Sequence, residues 1–181
     1  MNVTRLVDAF VRKVNSGPRE LALWEEVPRG LRYGPKVGMW TSWSIKSSNN
    51  SERIRDLEAR LRLTLPRSYR DLLCRYSFPA FEIERMMLFS NTGRDLPWEL
   101  EKRLFLDPHM SPALLAARYV QIGNPQFYSY DPVCLAIGDR AAEGRLVRLD
   151  HEALLQRDEL RVVQEIAPTF ASLMDDIVRA A

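Results

Sequence analysis

The stretch IRDLEARLRLTLPRSYRDLL, residues 54–73, decides most of what the sequence predicts about the fold. Ile54, Leu57 and Leu61 share one helical face, which predicts a helix that runs to about residue 63. A Leu-Pro pair then interrupts the pattern. Proline is tolerated in the first turn of a helix, because its missing N–H has no partner there. The sequence therefore predicts a second helix beginning at Pro66, with apolar positions at helical spacing: Tyr69, Leu72, Leu73 and Tyr76.

Downstream of this corner, the sequence predicts strands and then a closing helix. Residues 81–89 have the composition of a strand or hairpin, and residues 96–106 form a helix candidate. Tyr119–Ile122 alternates in period two, and the following Gly-Asn-Pro125 predicts a turn. Short apolar runs predict further strands at 132–137 and 146–149. The last apolar stripe is helical: Phe170, Leu173, Met174, Ile177 and Val178.

Upstream, residues 1–39 are predicted to form an N-terminal helical extension of a core that spans residues 40–181. One apolar stripe marks a first helix that Gly17-Pro18 ends, and a short second helix is expected around residues 19–26. Residues 40–45 are rich in strand formers. Strands clustered between flanking helices predict a single α+β domain, with a mostly antiparallel sheet. The sequence leaves two points open: whether the extension packs on the core, and the oligomeric state.

Composition excludes several classes of protein. The chain has 181 residues and a formal net charge of +2, so its balance is only mildly basic. Residues 52–75 are rich in arginine, but acids interleaved at three- and four-residue spacing are typical of a solvated helix face, and no nucleic-acid partner is predicted. No apolar run approaches the length of a membrane span, and no signal peptide is recognisable. Two isolated cysteines, Cys74 and Cys134, suit a reducing compartment. The expected location is the cytoplasm.

No catalytic, metal or cofactor site is predicted. The only histidines are His109, in an expected turn, and His151, at an expected strand end. Adjacent strand residues point to opposite faces, so Asp150 is not expected to orient His151 as the acid of a catalytic triad would. The sequence contains no paired metal-ligand spacing and no glycine-rich phosphate loop. A hydrolase site assembled from distant loops is the less favoured alternative.

Two groups of side chains are candidates for partner binding. The aromatic residues Tyr33, Trp40 and Trp43 suit core or interface packing better than base stacking. The acidic and aromatic group Asp95, Trp98, Glu99 and Glu101 could anchor a partner, with the tryptophan as hot spot. A solvated helix face with one packed tryptophan is the more common use of such a pattern.

Two stretches together resemble a known family. The first is Ile54-x-x-x-Glu58-x-x-Leu61-x-x-x-Leu65-Pro66-x-x-Tyr69-x-x-Leu72-Leu73. The second comprises Tyr119-Val-Gln-Ile-Gly123, Tyr130-Asp-Pro-Val-Cys-Leu135 and Leu146-Val-Arg-Leu-Asp150-His-Glu152, closed by Phe170-x-x-Leu173. In this order and spacing they resemble the SUKH superfamily, which includes the fungal Smi/Knr cell-wall regulators and many bacterial immunity proteins. The resemblance covers roughly residues 40–178.

The resemblance implies scaffold roles for its motif residues, without catalysis: Glu58, Leu65, Pro66, Tyr69, Asp131 and Asp150. Glu58 lies near the helical corner and is expected to accept hydrogen bonds from backbone groups where the next helix starts. The chain departs from the family pattern at three places. Arg62 replaces a common glycine, residues 77–80 replace an Asn-Gly-Gly turn, and Ala136 replaces an acidic residue.

For function, the resemblance implies an immunity protein that binds a cognate bacterial toxin and blocks it without catalysis. A regulatory interaction module of the same fold, without a toxin partner, is the alternative. Such roles need a rigid scaffold and a surface complementary to one partner.

Overall fold

The computed structural model describes residues 2–17, 21–23, 25–84, 86–92, 99–125, 129–138 and 144–180. Its first element is helix α1 (Val3–Ser16). The side chain of Asn2 accepts a hydrogen bond from the Thr4 N–H at 3.0 Å, so this residue caps the helix. The apolar stripe of α1 is buried. The first predicted helix is therefore confirmed.

The second helix expected around residues 19–26 is wrong, because the described part of this segment contains strand β1 (Leu21–Leu23). A 3₁₀ turn (Arg29–Leu31) follows, then β2 (Arg32–Val37) and β3 (Trp40–Trp43). The three strands form an antiparallel sheet in the order β1-β3-β2. Pairing with β3 decides the conformation of β1, because tertiary context overrides weak local propensity. The N-terminal part is thus helix plus sheet, and the expectation of a purely helical extension is corrected.

The helical corner forms as predicted. After β4 (Lys46–Ser47), helix α2 (Ser51–Leu61) and helix α3 (Arg67–Arg75) meet at the Leu-Pro break, with Pro66 at the N-cap of α3. Tyr76, predicted on the stripe of the second helix, instead begins β5 (Tyr76–Ser77), which pairs with β4. Pairing with β4 thus ends α3 one residue earlier than its apolar spacing suggests.

Arg62 ends α2 in the left-handed region, with φ +53°. A side chain at this φ costs about 1–2 kcal/mol, whereas glycine is unstrained but loses more chain entropy on folding. We expect Arg62→Gly to raise the free energy of unfolding by about 0.5 kcal/mol, measured by urea denaturation. Arg62→Ala is the matched control, since it removes the charge and keeps the strain. Equal stability of the two variants would contradict the backbone explanation.

A six-stranded antiparallel sheet is built mainly from the second half of the chain, in the order β11-β10-β9-β8-β7-β6. Its strands are β6 (Phe81–Ile83), β7 (Met86–Leu88), β8 (Tyr119–Pro125), β9 (Val133–Ala136), β10 (Leu146–Leu149) and β11 (Val162–Ala167). The intervening and closing helices are α4 (Glu99–Phe105), α5 (Ser111–Ala116), α6 (His151–Arg157) and α7 (Phe170–Arg179). The α+β class and the mostly antiparallel sheet are confirmed.

Three details of this half differ from the prediction. The turn expected at residues 123–125 is wrong, because β8 continues through Pro125 and pairs with β7. Helix α6 and strand β11 were not predicted. Helix α6 has only seven residues and begins where Asp150 caps it, accepting the Ala153 N–H at 2.9 Å. Most of β11 is exposed or half-buried, so it lacks the apolar run that would have marked it.

The main core joins the helices to the sheet. Helix α1 packs against α3 and α7, while α4 and α5 pack against β8. The rings of Tyr69 on α3 and Phe170 on α7 meet edge to face, with centroids 5.1 Å apart. Buried residues of α1, including Phe10, belong to the same apolar cluster. The N-terminal helix therefore packs on the core.

Candidate functional site

The acidic and aromatic group predicted to anchor a partner lies only partly within the described residues. Asp95 and Trp98 fall outside them, and so does the side chain of Glu99, the first residue of α4. The carboxylate of Glu101 pairs with Arg53 at 3.0 Å and with Arg60 at 2.9 Å. Glu101 thus joins α4 to α2, which is a structural role.

The motif residues at the helical corner form one connected group. Glu58 accepts the Leu65 N–H at 2.9 Å through Oε1, and its Oε2 lies 3.0 Å from Arg70 Nε. The expected contact between Glu58 and the backbone just before α3 is present. Leu65 and Tyr69 are buried, and Pro66 is the N-cap. These contacts fix the angle between α2 and α3.

The structure brings Asp131 and Asp150 together with His151. His151 Nδ1 lies 2.8 Å from Asp131 Oδ1, and the backbone N–H of His151 donates to the same oxygen at 3.1 Å. The Tyr130 ring lies beside the imidazole, with centroids 5.8 Å apart. Asp150 does not orient His151, but Asp131, twenty residues earlier, does. The expected strand end is also wrong, since His151 is the first residue of α6.

This cluster does not suit a cation. One ligand atom each from Asp131, Asp150 and His151 lies within 4.8 Å of the others, as a metal site requires. However, Arg148 Nε lies 3.6 Å from Asp131 Oδ2, and Arg161 Nη1 lies 3.7 Å from Asp150 Oδ2. Two guanidinium groups already balance the two carboxylates, and Asp150 also caps α6. The contacts between Asp131 and His151 hold the loop before β9 against the start of α6.

Asp131 should contribute to stability in a pH-dependent way. Burial raises the pKa of its carboxyl, but hydrogen bonds from His151 and Ser129 outweigh this effect and hold the pKa below its usual value of 3.8. The stabilisation is therefore complete above about pH 3.8 and is lost as the pH falls through the folded-state pKa. We expect Asp131→Asn to lower the free energy of unfolding by about 1–2 kcal/mol at pH 7. The deficit should shrink at pH 3, as measured by urea denaturation.

Asp175→Asn is the matched control for this experiment. Asp175 pairs with Arg179 at 2.7 Å across one helical turn, and the arginine is largely exposed. Its removal should change the free energy of unfolding by less than about 0.5 kcal/mol at either pH. A deficit of Asp131→Asn that stayed constant down to pH 3 would contradict the explanation.

The outer face of the three-stranded sheet carries an unusual set of exposed apolar side chains. All eight residues from Tyr33 to Trp40 are exposed. Four of them are large and apolar, and their exposed fractions are 57% for Tyr33, 62% for Val37, 61% for Met39 and 42% for Trp40. Contiguous exposed apolar patches are a feature of interaction sites.

Strand register explains why these side chains share a face. In an antiparallel pair, residues directly opposite each other point to the same side of the sheet. Trp40 lies opposite Val37 on β2 and opposite Leu23 on β1, forming one apolar row across three strands. Thr41 and Trp43 point to the other side, where they are buried. We call the exposed side, with Leu23, Tyr33, Val37 and Trp40 and the adjoining turn residue Met39, the outer face.

The three aromatic residues singled out in the sequence therefore lie on opposite sides of the small sheet. The Trp43 ring packs against Phe81, with centroids 5.2 Å apart, and joins the small sheet to the main core. Tyr33 and Trp40 lie on the outer face. The sequence did not identify Val37 and Met39 as members of this surface. The sequence feature that could have identified these two residues is the apolar run Val-Gly-Met-Trp in a segment rich in glycine.

No helix among the described residues is long and apolar enough to cross a membrane. Comparisons with protein-family models, with curated proteins and with solved structures find no match to this chain.

Proposed function

We propose that this chain is a non-catalytic immunity protein that binds a cognate bacterial toxin and neutralises it. The observation that carries the proposal is the outer face, where four large apolar side chains are exposed next to one another. Tryptophan and tyrosine are the residues most enriched in energetically dominant interface positions. A rigid sheet that presents them loses little conformational freedom on binding.

The resemblance of residues 40–178 to the SUKH superfamily is our reason for proposing a toxin as the partner. Its motif residues occupy structural positions in the α2–α3 corner, in the loop before β9 and at the start of α6. This arrangement agrees with scaffold roles and leaves the outer face for recognition. A regulatory module of the same fold would use the same face on a different partner.

Co-expression tests the immunity proposal directly. The proposal predicts a toxin gene beside the gene for this chain; the encoded toxin domain is induced in cells with or without the chain, and viable cells are counted. We expect the chain to restore growth and to co-purify with the toxin domain. Failure of both rescue and complex formation would contradict the proposal.

A hydrolase is the second candidate, favoured by the 2.8 Å contact between His151 Nδ1 and Asp131. An acid that orients one ring nitrogen leaves the other available as a base. Under this alternative, a broad hydrolase screen would give activity that His109→Ala combined with His151→Ala abolishes. Activity that survives the double substitution would remove both histidines from consideration.

A further inference from the structure

Three helices begin around one groove on the surface of the protein. Val3 is the first residue of α1, Pro66 is the N-cap of α3 and Thr169 is the N-cap of α7, and all three line a groove of about 290 Å³. The start of a helix carries a partial positive charge, because the backbone dipoles align along its axis. Helices α1, α3 and α7 also pack on one another, which holds their positive ends together. The groove therefore favours negative charge.

The start of α3 supplies free hydrogen-bond donors to this groove. No side chain caps the helix, and the backbone bond at its start joins the Arg70 N–H to the Pro66 carbonyl at 2.9 Å. The N–H groups of Arg67, Ser68 and Tyr69 have no acceptor among the described residues. Uncapped N–H groups in the first turn of a helix are ready-made donors to an anion.

The side chain of Ser68 independently indicates a ligand. Ser68 lines the groove and is only 6% exposed. Its hydroxyl is not sealed from the groove, yet it makes no hydrogen bond to any described residue. Polar groups that are largely buried almost always have a hydrogen-bond partner. A group bound in the groove would supply the partner that the described chain does not.

Arg67 adds a full positive charge at the same place. Its side chain is exposed, and within the described part of the chain it forms no ion pair. None of the described residues that line the groove is acidic. A guanidinium group presents pairs of N–H donors whose spacing matches the oxygens of a phosphate or a carboxylate. The charged and the neutral donors of the groove thus select an anion.

We infer that this groove binds a phosphate group, held by three N–H groups of α3, the Ser68 hydroxyl and the Arg67 guanidinium. A phosphate group offers three strong acceptor oxygens to these donors, whereas a carboxylate offers two. The groove is slightly smaller than the roughly 300–1,000 Å³ of pockets for larger organic ligands, so it suits a small anion. The phosphate is free inorganic phosphate or the end of a small phosphomonoester. This inference does not depend on the proposed function.

Titration calorimetry of the full chain at neutral pH and constant ionic strength tests the inference, with inorganic phosphate and glycerol 3-phosphate as probes. We expect Arg67→Ala and Ser68→Ala each to weaken binding at least about tenfold, as loss of a hydrogen bond to a charged group does. Tighter binding of glycerol 3-phosphate would identify a phosphomonoester as the ligand, and tighter binding of inorganic phosphate would identify the free ion. Because Arg67 is exposed, Arg67→Ala should keep its fold, and circular dichroism checks both variants.

Arg55→Ala is the matched control. Arg55 is an exposed arginine on α2 that forms no ion pair with a described residue, and it does not line the groove. Its replacement should leave the affinity for phosphate unchanged. Equal weakening by Arg55→Ala and Arg67→Ala would mean that net charge alone attracts the anion, and the inference would be overturned.

Other outcomes decide the inference as well. Absence of binding at about 10 mM of either probe, where a site of about 1 mM affinity would be filled, would overturn it. Binding that both Arg67→Ala and Ser68→Ala leave unchanged would also overturn it, as would acetate that binds as tightly as phosphate. Phosphate, but not chloride, should raise the thermal midpoint of the wild-type chain, because a ligand that binds only the folded state stabilises it. The rise should disappear in Arg67→Ala.

Discussion

Tyr69→Ala is expected to lower the free energy of unfolding by about 3–5 kcal/mol, the range observed when large aromatic side chains are removed from cores. Tyr69 is fully buried on α3, and its ring meets Phe170 of α7 edge to face. Helix α1 packs on both of these helices. Loss of the ring therefore leaves a cavity where three helices meet, and urea denaturation measures the cost.

Tyr69→Phe is the matched variant and is expected to act in the opposite direction. Among the described residues, the buried Tyr69 hydroxyl has no hydrogen-bond partner. An unsatisfied buried polar group costs about 1–3 kcal/mol, so its removal should raise the free energy of unfolding by about 1 kcal/mol. A loss of more than about 1 kcal/mol in Tyr69→Phe would show that the hydroxyl is bonded.

Gly123→Ala is expected to destabilise the protein by about 3 kcal/mol, at the upper end of the cost of overpacking. A Cβ on Gly123 would lie 2.4 Å from the Met87 carbonyl oxygen and 2.8 Å from Met86 Cε. The methionine methyl can move, but the carbonyl belongs to the backbone of β7, which pairs with β8 at this point. The two strands would have to separate. Thermal and urea denaturation should both report the loss.

Gly30→Ala is the control for this substitution. No atom lies within 4 Å of the position that its Cβ would occupy. The free energy of unfolding should change by less than about 0.5 kcal/mol, as is usual at an open surface position. Equal stability of Gly123→Ala and the wild-type chain would contradict the close approach of β7 and β8.

The prediction was most successful where a long periodic pattern met an unambiguous stop signal. Helix α1, the α2–α3 corner and helix α7 each have an apolar stripe several turns long, and caps or Pro66 mark their ends. The error at β1 has the opposite cause. Three residues carry almost no periodic information, and their conformation follows from pairing with β3.

The candidate site was predicted only in part, for a related reason. Tyr33 and Trp40 stood out as aromatic residues. Strand alternation places Trp40 and Trp43 on opposite faces, but it does not tell which of the two faces is buried. The contact between His151 and Asp131 spans twenty residues. Local spacing cannot reveal it, because chain folding brings the two residues together.

The sequence by itself determined the α+β class, the helical corner and the absence of familiar metal or phosphate motifs. These follow from short-range rules: helical periodicity, the missing N–H of proline and the fixed spacing of ligands. Only the tertiary structure decided which side of the small sheet is buried. Trp43 packs on Phe81, and this contact commits the opposite side, with Trp40, Val37 and Tyr33, to solvent. A strand has two faces, and only its neighbours in space determine which of them is covered.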